Sequence, residues 1–152
     1  MKRIALFPGS FDPITKGHED IVRRALPMYD EIIVALGANS SKKYMYGLEK
    51  RMEWIENTFA DCDKIKMICY EGLTIECCKT QGARFILRGL RNSNDYEYEK
   101  SIAMMNQAMA PNIETVYLNT RPECSAISST IIRDIIKNQG DAKPFLASGV
   151  QL

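Results

Sequence analysis

The sequence predicts an α/β fold, in which a doubly wound parallel sheet of five strands carries helices on both faces. Short β-rich runs recur along the chain, and a helical pattern of apolar residues separates most of them from the next. Strands that alternate with helices form βαβ units, whose right-handed crossovers cover both faces of a parallel sheet. At 152 residues, with no internal repeat or linker, the chain is expected to form a single domain spanning residues 1–152.

The predicted elements follow in order. Strands are expected over residues 3–7, 31–36, 64–70, 84–87 and 115–118. Helices are expected over residues 21–29, 48–59, 95–109 and 129–137, with a weaker pattern over 74–80. The layout is Rossmann-like, and in such sheets ligands bind beyond the carboxyl ends of the strands, at a switch in strand order.

Composition excludes several classes of protein. A formal net charge of +1 argues against extensive nucleic-acid binding. The apolar runs are too short for a signal-peptide core or a membrane span, so we expect a cytoplasmic protein. The five cysteines are odd in number and lack zinc or redox spacing, which predicts reduced thiols that mostly fill the core.

The stretch "GSFDPITKGH", residues 9–18, follows the first predicted strand and holds the only histidine of the chain. Thr15 is a good N-cap, which places His18 at the third position of the following helix. The first turn of a helix presents free N–H groups and the positive end of the helix dipole. This loop is therefore a candidate anion site, although a lone histidine on a helix is often a simple surface residue.

A second candidate anion site precedes the isoleucine-rich helix near the end of the chain. Ser128, Ser129 and Thr130 stand where that helix begins, and Arg133 lies one turn further on. A helix start rich in serine and threonine is common and alone indicates only a cap. Together, the two helix N-termini predict a site that holds one polyphosphate.

Several blocks resemble one enzyme family. The elements "TKGH" and "ISSTIIR" look like those of the nucleotidyltransferase superfamily of class I aminoacyl-tRNA synthetase type. The blocks "FPGSFDPITKGHEDIVRRA", "SKKYMYGLEKR", "FILRGLRNSNDYEYE" and "ISSTIIRDI" together are similar to the bacterial phosphopantetheine adenylyltransferases. The likeness extends over about residues 3–146.

The resemblance implies a reaction. It joins ATP and 4′-phosphopantetheine into dephospho-coenzyme A and pyrophosphate, with direct in-line attack on the α-phosphorus and no covalent intermediate. Such a displacement needs positioning and charge stabilisation rather than a protein nucleophile. The sequence fits this need, because no Ser/His/Asp or Cys/His set is apparent.

The resemblance also implies roles for particular residues. His18 would be catalytic, stabilising the transition state at the α-phosphate. The ATP-binding residues would be Ser10, Phe11, His18, Gly89, Leu90, Arg91, Glu99, Cys124, Ser125, Ala126, Ile127, Ser128, Ser129 and Thr130. The acceptor would bind at Ser10, Lys42, Thr74 and Arg88. Arg88 is expected to end the fourth strand, where a guanidinium suits phosphate.

Cofactor and partners follow from the same resemblance. Mg²⁺ is implied, bound mainly through the ATP phosphates, and no protein metal ligand is assigned; Asp12 in "FDP" fits turn chemistry equally well. Nucleic acid and membrane are not expected as partners. A homohexamer is implied, feedback binding of coenzyme A is left open, and the methionines of "SIAMMNQAM" (Met104, Met105 and Met109) are expected in the core or at a subunit interface.

Two alternatives stay open. The first is another transferase of the same superfamily, such as a nicotinate-mononucleotide adenylyltransferase or a cytidylyltransferase, which would use a different acceptor. The second is a non-catalytic nucleotide-binding domain, which would bind ATP without releasing pyrophosphate.

Overall fold

A computed structural model of the chain describes residues 1–39 and 41–152. Five strands form one fully parallel sheet: β1 (Ile4–Gly9), β2 (Glu31–Gly37), β3 (Ile65–Tyr70), β4 (Phe85–Leu90) and β5 (Glu114–Asn119). Their order is β3-β2-β1-β4-β5, so the chain reverses its direction across the sheet between β1 and β4. The predicted Rossmann-like sheet is confirmed, and its switch point lies where β1 and β4 end.

Five helices accompany the sheet: α1 (Lys16–Ala25), α2 (Leu48–Phe59), α3 (Thr74–Gln81), α4 (Ser93–Met109) and α5 (Ser129–Lys137). The first ends earlier than predicted, because Pro27 lacks the N–H that an α-helix needs and a 3₁₀ turn replaces the last residues. The fourth begins earlier, at Ser93, because the Asn92 side chain caps it by accepting from the Asp95 N–H.

The fourth strand is longer than predicted. Its pairing with β5 continues to Leu90, opposite Asn119. Arg88 therefore lies within the strand rather than at its end, so the expectation that it ends β4 is wrong. The sequence "RGLR" gave no apolar signal for this extension, because the strand here depends on backbone pairing and not on side-chain burial.

The core consists of two apolar layers, one on each face of the sheet. Phe7 of β1 packs in the layer beneath α1 and α2, together with Val22 and Trp54. Leu6, the next residue along, points to the opposite face and packs with Ile75 of α3. The cysteines behave largely as expected, since all five are free thiols and Cys77, Cys78 and Cys124 are buried, although Cys69 is exposed.

Helix α4 buries no residue completely. It turns Asp95, Glu99, Ala103 and Asn106 towards the rest of the chain, while Met104, Met105 and Met109 are exposed. The expectation that these methionines fill the core of the chain is therefore wrong, and their place at a subunit interface stays a prediction. In the described part of the chain, no helix combines the length and the apolar character needed to cross a membrane.

A segment after α5 supports the loop between β1 and α1. Leu146 pairs with Thr15 in an isolated antiparallel bridge, and the Ala147 N–H donates to the Ile14 carbonyl. The Ser148 N–H and hydroxyl both donate to the Glu19 carboxylate, at 2.8 and 3.0 Å. The loop that follows β1 is thus fixed by backbone pairing at its far end.

Candidate functional site

Helix α1 begins with a reciprocal pair of hydrogen bonds between Thr15 and His18. The Thr15 hydroxyl accepts from the His18 backbone N–H at 3.2 Å, and the imidazole Nδ1 accepts from the Thr15 backbone N–H at 3.0 Å. This is a capping box in which imidazole replaces the usual Glu or Gln. Because Nδ1 accepts, the neutral ring carries its proton on Nε2, which stays available as a donor.

The surroundings of His18 keep the ring neutral. It is half-buried and lies against the edges of Phe7 and Phe11, with ring centroids 6.2 and 5.0 Å apart. Burial, and then the positive charges of Arg88 and Arg91, lower the pKa of His18 from its ordinary 6.5 to about 4. A neutral imidazole with its Nε2–H directed away from the cap is a hydrogen-bond donor rather than a base at neutral pH.

The turn between Gly9 and Phe11 is closely packed. Phe11 has φ of 45°, in the left-handed region, and its ring folds back over Gly9. A Cβ at position 9 would lie 2.9 Å from the Phe11 ring, so this close approach requires glycine. The buried Phe11 ring holds the loop against the core, and residues 10 and 11 are thereby fixed at the carboxyl edge of the sheet.

Arg88 of β4 is held in place by three hydrogen bonds. Its Nε and Nη2 donate to the two carboxylate oxygens of Glu99, at 3.0 and 2.6 Å, and its Nη1 donates to the Pro8 carbonyl at 2.7 Å. A two-pronged contact of this kind fixes the plane of the guanidinium. Arg88 is thus oriented at the switch point before any ligand binds.

Arg91, which follows β4, has a similar partner. Its backbone N–H and Nε both donate to one oxygen of Asp95, each at 3.0 Å. Burial alone would raise the pKa of the Asp95 carboxyl, but the hydrogen bonds from Arg91 outweigh burial and hold that pKa below its ordinary value. Asp95 and Glu99, one turn apart on α4, therefore each position one arginine.

The start of α5 is tied to the same loop. Ser128 is the N-cap and accepts from the Ile131 N–H at 3.2 Å, while the Ser129 hydroxyl donates to the Pro13 carbonyl at 2.9 Å. Arg133 donates to the Asp12 carbonyl at 2.9 Å. The N-termini of α1 and α5 are thus joined through residues 12 and 13, and both face one cavity.

Two cavities meet at the end of β1. The α1-side cavity, of about 350 Å³, lies among the loop after β1, the start of α1, the end of β4 and the start of α5. The β2-side cavity, of about 570 Å³, lies among the ends of β1 and β2, the loop carrying Lys42, and α4. Both are lined by Pro8, Gly9, Ser10, Arg88 and Glu99.

The cavities bring most of the predicted site residues together. The α1-side cavity is lined by Ser10, Phe11, His18, Arg88, Gly89, Arg91, Glu99, Cys124, Ile127, Ser128, Ser129 and Thr130. The β2-side cavity is lined by Ser10, Lys42, Thr74, Arg88 and Glu99. Leu90, Ser125 and Ala126 line neither of them.

Some lining residues were not found from the sequence. Tyr44 and Tyr70 line the β2-side cavity, and the Tyr70 hydroxyl is hydrogen-bonded to the Thr74 hydroxyl at 2.9 Å. The position of Tyr70 at the end of β3, on the same edge as the other motifs, was a usable signal. Tyr44 gave none, because it lies in an irregular loop.

Comparison with known proteins identifies the family. The cytidylyltransferase-like family model matches residues 6–135. Phosphopantetheine adenylyltransferases from Flavobacterium psychrophilum and Flavobacterium johnsoniae are each 51% identical over 150 residues; these cover 99% of this chain and 99% and 98% of theirs. That of Cytophaga hutchinsonii is 47% identical, over 96% of this chain and 97% of its own.

The chain belongs to the phosphopantetheine adenylyltransferase family.

Solved structures agree with this at the level of the fold. A bifunctional NMN adenylyltransferase/ADP ribose pyrophosphatase from Francisella tularensis superposes with a TM-score of 0.76 at 16% identity, over 99% of this chain and 46% of that chain. The doubly wound sheet of this chain is therefore shared with part of that bifunctional protein.

The carboxylates of the α1-side cavity indicate how this adenylyltransferase would accommodate a metal. Asp12, Asp95 and Glu99 each accept hydrogen bonds from protein N–H groups on both oxygens. The described residues contain no cluster of three or more acidic, histidine or cysteine side chains suited to a metal ion. This arrangement fits an Mg²⁺ ion held by phosphate oxygens and water, with the chain supplying cations around it.

The lowered pKa of His18 predicts an unusual titration. In a ¹H–¹⁵N NMR titration, the single histidine should have its midpoint near pH 4 and show the Nε2–H tautomer at neutral pH. In urea the midpoint should return to about 6.5, the value of an unperturbed imidazole. Between about pH 4 and pH 6.5, His18 is mostly protonated in the unfolded chain and mostly neutral in the folded chain. The stabilisation from neutral His18 is therefore complete above about pH 6.5 and is lost as the pH falls towards 4. A folded-state midpoint at or above 6.5 would contradict this description.

Proposed function

We propose that this chain, as a single nucleotidyltransferase domain spanning residues 1–152, transfers the adenylyl group of ATP to the phosphate of 4′-phosphopantetheine. One oxygen of the acceptor phosphate bonds to the α-phosphorus as the bond from that phosphorus to the β-phosphate bridging oxygen breaks. Dephospho-coenzyme A and pyrophosphate are the products. The observation that carries this proposal is that two cavities share Ser10 and Arg88 at the switch point of the sheet.

The α1-side cavity suits ATP. Two helix N-termini and Arg91 surround it, and each favours phosphate oxygens. In this proposal the nucleotide contacts Ser10, Phe11, His18, Gly89, Leu90, Arg91, Glu99 and residues 124–130. Mg²⁺ bound to the ATP phosphates would supply charge neutralisation, and no side chain of the chain is assigned as its ligand. Glu99 acts mainly through Arg88, since both of its oxygens already accept from that guanidinium.

The β2-side cavity suits the acceptor. Its volume of about 570 Å³ accommodates an extended arm of this size. Ile86, Ile102 and Ala103 offer apolar contacts along it, while Thr74 and its partner Tyr70 offer hydroxyl groups. Lys42 and Arg88 supply the positive charge that the acceptor phosphate needs.

His18 supplies a donor where charge develops. Its Nε2–H would contact the α-phosphate, whose equatorial oxygens gain negative charge in the transition state. Because the ring is already neutral and fixed by Thr15, no proton or rotamer has to change during the reaction. Ser10 and Arg88, which both cavities share, would bind the oxygens on either side of the transferred phosphorus.

We also propose that the chain assembles as a homohexamer. The α4 stripe (Tyr98, Ile102, Met105 and Met109) is exposed and recurs at intervals of three and four residues, the spacing of a helix–helix contact. The occupant we infer is a second copy of this chain, because the resemblance to a hexameric family implies such a contact. Ile102 lies at the edge of the stripe, where it also lines the β2-side cavity. The five free thiols fit a reducing compartment, so we place the enzyme in the cytoplasm. Feedback binding of coenzyme A stays a prediction.

Light scattering should give a mass six times that of the chain. The double variant Met105→Glu with Met109→Glu should lower that mass, because charges would be buried in the interface. Thr80→Glu, on the polar surface of α3, adds a charge where no contact is expected and should leave the mass unchanged. A monomeric wild-type chain would contradict the assembly.

Pyrophosphate release tests the choice of acceptor. We expect release with ATP and 4′-phosphopantetheine, and none with pantetheine, whose hydroxyl must lose a proton and which has no phosphate for Lys42 and Arg88 to bind. Lys42→Ala should lower kcat/KM for the acceptor roughly 10- to 150-fold, the range of a charge-assisted hydrogen bond, with little change in the Kd of ATP.

His18→Ala should instead lower kcat at least about 100-fold and leave both binding constants within about tenfold.

Two results would contradict these assignments. Release with nicotinamide or nicotinate mononucleotide, but not with phosphopantetheine, would replace the proposed acceptor. A Lys42→Ala defect larger for ATP than for the acceptor would move Lys42 to the nucleotide side. Arg23→Lys, on the outer face of α1, is the control for effects that come only from changing a cation.

A further inference from the structure

Two buried charged residues connect the loops whose side chains are proposed to bind the substrates, although neither residue has a part in the reaction proposed above. Asp12 is 3% exposed and Arg51, on α2, is 2% exposed. Burying a charge is costly unless hydrogen bonds replace its hydration. Both side chains make their hydrogen bonds with backbone groups of the loop after β1 or the loop after β2. Asp12 and Arg51 therefore differ from an ordinary ion pair, in which the two charged side chains bond each other.

Asp12 holds the loop that follows Lys42. One oxygen of its carboxylate accepts from the Met45 N–H at 2.7 Å, and the other accepts from the Tyr46 N–H at 2.9 Å. Asp12 itself lies in the loop between β1 and α1, two residues from Ser10 and in the same turn as Phe11. The carboxylate therefore links the loop of Ser10 and His18 to the loop of Lys42 directly.

Arg51 connects the same two loops through their backbone carbonyls. Its Nε donates to the Tyr46 carbonyl at 3.0 Å, and its Nη1 donates to the Ser10 carbonyl at 2.8 Å. Its guanidinium carbon also lies 3.9 Å from the centroid of the Tyr44 ring, close enough for a cation–π contact. Residue 46 is thus held at both its N–H and its carbonyl, and Ser10 is held by the same side chain.

We infer that Asp12 and Arg51 are positioning residues that set the distance between Lys42 and the pair Ser10 and His18. This inference rests on the proposed function, in which Lys42 holds the attacking phosphate and His18 faces the phosphorus attacked. A small error in the separation of two bound reactants costs rate steeply, because the reacting atoms must meet in line. Neither side chain has to touch a substrate for this role.

The test is a pair of conservative substitutions combined with Lys42→Ala. Asp12→Asn keeps one acceptor oxygen, and Arg51→Lys keeps the charge but not the fork that spans Ser10 and Tyr46. Each should lower kcat/KM for phosphopantetheine roughly tenfold or more, with the Kd of ATP changed less than about threefold. In the Lys42→Ala background the same substitutions should cost less than about twofold, because the group that they position is gone.

Matched controls separate positioning from general destabilisation. Asp61→Asn and Arg23→Lys alter an Asp and an Arg that bond each other on the outer surface, away from both cavities. They should leave acceptor use unchanged even where they lower the melting temperature. Equal losses with and without Lys42, or equal losses for ATP and acceptor, would overturn the inference.

A second readout does not depend on catalysis. Amide hydrogen exchange of residues 41–47 should be faster in Asp12→Asn than in wild type, since the remaining amide oxygen can accept from only one of the Met45 and Tyr46 N–H groups. The Asp61→Asn variant should not change it. Unchanged exchange would overturn the inference even if the enzyme proved to use another acceptor, whereas a wild-type chain that releases no pyrophosphate would overturn only the proposed function.

Discussion

The reciprocal hydrogen bonds between Thr15 and His18 are the interaction on which the site depends. They close the N-terminus of α1 without a carboxylate, because imidazole takes the position that Glu usually holds in a capping box. Glu19, the acidic residue of the first turn, accepts from Arg23 and Ser148, so the N–H groups at the start of α1 remain available to an anionic ligand. The same two hydrogen bonds fix the orientation of the His18 ring and leave its proton on Nε2. They therefore cap the helix and also position the Nε2–H as a donor.

Around this junction, the cations of the cavities are placed in advance. Arg88 and Arg91 are held by carboxylates of α4, and Arg133 is held by the Asp12 backbone carbonyl in the loop after β1. Fixing these side chains costs folding energy, but no reorganisation is then needed when phosphate arrives. Lys42 is the cavity cation whose side chain makes neither an ion pair nor a hydrogen bond in the described part of the chain, which suits its proposed place at the acceptor phosphate.

The sequence was sufficient to predict the sheet and the two helix starts that face the α1-side cavity. Apolar periodicity located all five strands and all five helices, and turn chemistry placed the cap at Thr15, because these signals depend on neighbouring residues. It failed where distant residues decide the outcome. The end of β4 depends on pairing with β5, and the roles of Asp12 and Arg51 depend on partners more than thirty residues away. The resemblance to a family supplied residue roles that no local pattern contains.

In the proposed reaction, phosphate attacks phosphorus directly where the two cavities meet, with no adenylyl group carried by the protein. The most direct measurement is the stereochemical course of transfer from ATP made chiral with sulfur at the α-phosphorus, followed by ³¹P NMR of the product. A single in-line displacement predicts inversion of configuration at that phosphorus. Retention would contradict direct transfer, because it requires two displacements and hence a covalent adenylyl intermediate on this chain.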